Sequence, residues 1–305
     1  MFDPTSWSRL GGLLFTAKTL VDGLYAGGHA SPRHGAGMEF HDYRPYVPGD
    51  DLSAVDWKLF GRTDRYYLRR DRRYSDLHVQ LLVDVSASMD FAALDGPTPD
   101  RPTKLAVAKQ LAAAIAFLTI RQGDRVGLAL GGQRLREAMP VRNSWPHLQQ
   151  LCATLEQATV NTGAGDVGAC LRQLHAMRQR RGLVVLLSDL LDEPGPMLDG
   201  LQRLRHDRFE VIVLQVLSPN ELHLSQAGVG WRRLVDAESS RRADVRLSGA
   251  GAKAEVEYDR RMASHLAALR TACLSRGAAY QLVRTDQPAL MSLRQYLARR
   301  SAAGW

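Results

Sequence analysis

Five short runs, each nearly continuous in β-branched residues and leucine, constrain this chain more than any other feature. They are HVQLLVD (78–84), DRVGLAL (124–130), GLVVLLSD (182–189), EVIVLQVL (210–217) and AAYQLV (278–283). A strand with one wet face alternates apolar and polar residues. Several of these runs stay apolar at consecutive positions, which predicts a parallel sheet covered on both faces. Helical patterns fall between them. Leu105, Ala108, Leu111, Ala112, Ile115 and Leu118 repeat at helical spacing, and Gly123 suits the end of that helix. Further stripes cover 145–158, 167–179, 197–206, 253–275 and 289–300. The alternation predicts an α/β fold: a doubly wound, mostly parallel sheet with right-handed crossovers.

Two segments break that rhythm. Residues 1–77 mix arginine, aspartate and aromatics ahead of the first core strand, and are expected to form an N-terminal extension packed on the core of 78–305. Residues 226–251 read as a small β insertion, with WRRLVDAE and ADVRLSG around a polar turn. The 305 residues carry 40 basic and 32 acidic side chains, a net +8, and all but five of the cations are arginine. That balance permits an acidic partner, a nucleic acid or a membrane surface, and selects none. The basic runs at 69–73, 178–181, 232–233 and 241–242 are dispersed, so nucleic-acid binding is not expected. Cys152, Cys170 and Cys273 lack paired spacing and read as buried thiols in a reducing compartment. The opening residues, with Asp3 and no basic stretch, do not read as a signal peptide, and no apolar run reaches the roughly 20 residues of a membrane span. A cytoplasmic location is expected.

The most informative core motif is Asp84-Val85-Ser86-Ala87-Ser88, at the end of the first buried strand. In a doubly wound sheet, ligands bind outside the carboxyl ends of the strands. A carboxylate and two hydroxyls at alternate positions can turn toward one small volume there, and Ser188-Asp189 brings a second acid at the end of another strand. Hard oxygen donors of this kind suit Mg²⁺ or Mn²⁺. The bland alternative is that Asp84 and Ser86 cap a loop or helix.

Ahead of that motif stand Gly37-Met38-Glu39-Phe40-His41-Asp42-Tyr43-Arg44-Pro45-Tyr46-Val47-Pro48-Gly49-Asp50-Asp51, then Val55-Asp56-Trp57-Lys58 and Gly61-Arg62. This order resembles a bacterial family, number fifty-eight in the domain-of-unknown-function series, from about residue 37 to the last helix. The resemblance implies a von Willebrand factor A-like, Rossmann-like domain and a genomic pairing with MoxR-type AAA+ ATPases. It also implies a metal-ion-dependent adhesion site at Asp84, Ser86, Ser88 and Asp189. The chain departs from that pattern at Gly165, where a threonine is expected, and neither Thr162 nor Asp166 stands at the matching place. Ser53 and Gly61 likewise replace an expected arginine and alanine. With one hydroxyl missing, metal is expected to bind weakly.

The acids Asp50, Asp51 and Asp56 with Arg44, Lys58 and Arg62 read as a structural charge network, anchored on the core sheet by Tyr46 and Trp57. Gly163-x-Gly165-x-x-Gly168 matches a dinucleotide fingerprint only formally, since a helix and not a strand precedes it. No phosphate-binding ATPase loop occurs. The leading function is a non-enzymatic protein-interaction module, an adaptor or chaperone-like partner of a MoxR-type ATPase or its client. The alternatives are a metal-dependent hydrolase or phosphatase using Asp84 and Ser86, or a nucleic-acid binder. The hydrolase lacks a base in reach, because His78 stands at the wrong end of its strand.

Overall fold

The computed structural model describes residues 12–26, 42–46, 55, 57–70, 77–93, 96–98, 101–161, 163, 165–177, 181–224, 229–235, 242–247 and 253–302. Two compact units divide the chain, one of residues 1–27 with 76–305, the other of residues 28–75. This differs from a division after residue 77, because the first helix belongs with the sheet.

The larger unit is built on six strands: β3 (His78–Asp84), β4 (Arg125–Gly131), β5 (Leu135–Arg142), β6 (Leu183–Ser188), β7 (Glu210–Leu217) and β10 (Ala279–Arg284). Their order across the sheet is β10-β7-β6-β3-β4-β5. All neighbours pair in parallel except β4 and β5, which form an antiparallel edge. The expected α/β, mostly parallel sheet is therefore present. β5 is the strand the apolar runs do not announce: LREAMPVR is mostly exposed and contains Pro140, as an edge strand tolerates.

Both faces of the sheet are covered. Leu81, Val83, Leu128, Val185 and Leu214 pack with α1 (Gly12–Ala26), α3 (Lys104–Arg121), α4 (Trp145–Gln157) and α9 (Ala289–Ala302). On the other face, Leu82, Ala129, Val184, Leu186 and Val213 pack with α5 (Val167–Ala176), α6 (Pro194–His206) and α8 (Lys253–Ser275). Consecutive residues thus go to opposite cores, which is why the runs do not alternate. In α1, Leu14, Ala17 and Val21 recur at helical spacing and are buried, so this helix joins the first core.

Between β7 and α8 lies a short helix α7 (Pro219–Leu222) and the expected insertion, an antiparallel pair β8 (Gly230–Val235) and β9 (Arg242–Leu247). Its base is tied down. Leu247 packs with Leu224 and Tyr258, the Leu224 N–H donates to Asp259 at 2.9 Å, and the Tyr258 hydroxyl donates to the Glu221 carbonyl at 2.9 Å.

The unit of residues 28–75 contains β1 (Asp42–Pro45), α2 (Trp57–Thr63) and β2 (Tyr67–Arg70), with β1 and β2 antiparallel. Phe60 stacks on Tyr66 at 4.5 Å between centroids, and Trp57 meets both edge-on. Trp57 is 60% exposed, and Tyr46 tilts against Tyr66. Asp50, Asp51, Ser53 and Asp56 lie outside the described residues, as do residues 71–73, 178–180 and 241 of the basic runs.

Candidate functional site

Strand order reverses between β3 and β6. The helix after β3 goes to one face and the helix after β6 to the other, so a crevice opens at the carboxyl ends of these two neighbours. Asp84 ends β3, and a 3₁₀ turn (Ala87–Asp90) follows with Met89 buried beneath it. Asp84 accepts the Ser86 N–H on Oδ1 at 2.9 Å and the Ser188 hydroxyl on Oδ2 at 2.5 Å. The Ser86 and Ser88 hydroxyls lie 3.1 Å apart. Burial, and then the nearby charge of Asp189, push the Asp84 carboxyl up to about 6 against the opposing effect of these hydrogen bonds.

Asp189 follows β6 and is equally buried, but its environment differs. The Lys104 ammonium stands 2.6 Å from Asp189 Oδ2 and 2.5 Å from Glu221 Oε1. Lys104 opens α3, behind the Thr103 hydroxyl that caps the helix by accepting the Ala106 N–H at 3.1 Å. Burial works to lower the lysine's proton affinity, but Asp189 and Glu221 outweigh it and hold the ammonium charged. Glu221 is fixed in turn by a capping box, accepting the Ser218 N–H at 2.8 Å while its own N–H donates to the Ser218 hydroxyl. Sequence reasoning missed Lys104 and Glu221. The available signal was a rare lysine at the first residue of a helix, where the N-terminal dipole disfavours a cation.

Gly165 lies against Ser86. A Cβ there would come 3.1 Å from Ser86 Cβ and 3.4 Å from Asp192 Oδ2. The expected hydroxyl is therefore missing at a position that borders the site. Asp166 does not replace it: its carboxylate caps α5 by accepting the Ala169 N–H at 2.7 Å. Thr162 lies outside the described residues. Gly168 has a packing role, since a Cβ would stand 2.6 Å from the Pro196 backbone, where α5 and α6 meet.

Asp84, Ser86 and Ser88 offer three oxygens of the kind a hard divalent ion takes. Asp189 is engaged by the ammonium. Among the described residues, no group of three or more His, Cys, Asp or Glu could hold a metal ion. The cavity beside the crevice, lined by Gly165, Asp166, Leu190, Asp192, Pro194 and Met197, has a volume of about 150 Å³. Small-molecule pockets run to roughly 300–1,000 Å³. Among the described residues, no helix is long and apolar enough to cross a membrane.

Comparison with known proteins identifies the family. An uncharacterized protein of Mycobacterium bovis, Mb1516, is 32% identical over 303 residues, 98% of this chain and 90% of its own length. Rv1480, an uncharacterized protein of Mycobacterium tuberculosis, matches equally. Among solved structures, BatB from Bacteroides thetaiotaomicron aligns with a TM-score of 0.45 and 14% identity, over 74% of this chain and 99% of that one. The SpRpn10 VWA domain aligns with a TM-score of 0.41 and 12% identity, over 71% and 93%. Residues 42–268 match the family model "Protein of unknown function DUF58", and the chain belongs to that family.

Proposed function

We propose that the strand-end face bearing Asp84, Ser86, Ser88 and Asp189 docks a partner protein, and that the chain is a non-enzymatic interaction module. In this reading it works as an adaptor or chaperone-like partner of a MoxR-type AAA+ ATPase or its client. The observation that carries the reading is a polar crevice at the switch point of the sheet, bordered by a cavity of only about 150 Å³. A cavity this small suits a protruding side chain of another protein better than an enclosed small molecule. Asp84, Ser86 and Ser88 would hold Mg²⁺ or Mn²⁺, beside an Asp189 whose charge is paired with Lys104. Bound there, the ion would supply an electrophilic point for a partner's Asp or Glu.

Asp84 and Ser86, on which the hydrolase reading relies, already have hydrogen-bond partners among the described residues. Asp84 accepts from Ser86 and Ser188, and the Ser86 hydroxyl meets that of Ser88. His147, His175 and His265 pair with Val126, Asp207 and Leu190 respectively. The test is affinity for a purified MoxR-type ATPase in MgCl₂, measured by biolayer interferometry. Asp84→Ala is expected to weaken binding about tenfold or more with an unchanged circular dichroism spectrum, as for loss of a central interface contact. Turnover of a phosphoester or peptide that Asp84→Ala abolishes would replace this reading with the hydrolase.

A further inference from the structure

Three acids meet at the strand ends, Asp84, Asp189 and Glu221, and they are treated unequally. The Lys104 ammonium bonds two of them and not the third. Asp84, on the neighbouring strand, receives hydrogen bonds from Ser86 and Ser188 and no cation among the described residues. Lys104 is wholly buried and stands at the positive end of α3, two circumstances that both oppose a cation. Such a charge persists only for what it touches.

We infer that Lys104 is the resident cation of Asp189, so that a divalent ion at the strand ends is held by Asp84, Ser86 and Ser88 without Asp189, and that the Lys104 charge keeps this ion weakly bound. The inference rests on the reading above that these three residues hold such an ion. It assigns Lys104 the role of setting the site's affinity. Its positive charge repels the ion, and it withdraws a carboxylate oxygen from the donor set. Ligand charge count, with site rigidity, sets affinity in oxygen-donor sites.

Calorimetric titration of the full chain with MgCl₂ tests this. The wild type is expected to bind in about the millimolar range, as sites with few charged ligands do. Lys104→Met should bind about tenfold tighter or more, and a Lys104→Met, Asp189→Asn double variant should lose that gain. Lys104→Met leaves two buried acids without a cation and can fail to fold, so a second arm does not depend on it. Asp189→Asn alone keeps the Lys104–Glu221 contact. It should bind MnCl₂, followed by water proton relaxation, within about threefold of the wild type, while Asp84→Ala binds none. A folded Lys104→Met that binds MgCl₂ like the wild type overturns the inference, as does a tenfold loss in Asp189→Asn. If neither wild type nor Lys104→Met binds MgCl₂, the inference falls together with the metal. The docking reading is judged separately, by the partner affinity of Asp84→Ala.

Discussion

The two ends of the same parallel strands are built on different principles. At the amino ends, the bonds fall on backbone carbonyls. The Arg125 N–H donates to the Leu77 carbonyl and the Glu210 N–H to the Gly182 carbonyl, each at 2.9 Å. A Cβ on Gly182 would land on the His78 carbonyl oxygen. At the carboxyl ends, side chains of Asp84, Ser86, Ser188 and Asp189 meet instead, with Lys104 and Glu221 brought in from flanking helices. Close backbone approach at Gly182 marks one end, and the charge cluster of Lys104 marks the other. The polar end is not what the sheet requires in order to pack, which is why it is the end read as functional.

The largest expected effect breaks the charged end. Lys104→Ala leaves Asp189 and Glu221 buried without their cation, and should cost about 3–5 kcal/mol in urea unfolding. A cost under about 1 kcal/mol would mean that the ammonium is not what holds this end. Gly182→Ala attacks the steric end, where the obstacle is backbone and cannot swing aside, and should cost about 2–3 kcal/mol. The smallest effect has the opposite sign. Because the Asp84 carboxyl is pushed up to about 6, the folded state holds this proton more tightly than the unfolded chain. Its ionised form is therefore a net cost at pH 7 that fades as pH falls below 6 and is gone below the ordinary carboxylate range. Asp84→Asn in EDTA should raise stability by about 1 kcal/mol at pH 7, with no gain near pH 4. A loss at pH 7 would make Asp84 a structural residue like those of the amino end.

What the sequence revealed follows the same division. The runs 78–84 and 210–217 match β3 and β7 residue for residue, because burial on both faces writes itself into consecutive positions. β5 and α1 were less legible: one is an exposed edge, the other a helix whose buried stripe rests on Leu14, Ala17 and Val21. The positions of Asp84, Ser86, Ser88 and Asp189 just at or beyond the ends of β3 and β6 were readable, and those strands are neighbours in the sheet. The pairing of Lys104 was not readable, because Asp189 and Glu221 stand 85 and 117 residues further along the chain. Local patterns report which face of an element is buried, and carry no record of which distant acid a buried cation will meet.

The two hydrogen bonds at the root of the β8–β9 insertion have a consequence for how this chain can change. Tyr258 to the Glu221 carbonyl and Leu224 to Asp259 pin the segment just after β7 to the first turns of α8. Whatever lies between them is closed at its neck before its own conformation matters. Lengthening such a closed excursion costs only about 0.6 kcal/mol for each doubling. The segment is therefore a natural grafting point, where the hairpin could be exchanged for a longer or differently charged module while the strand-end crevice keeps its shape.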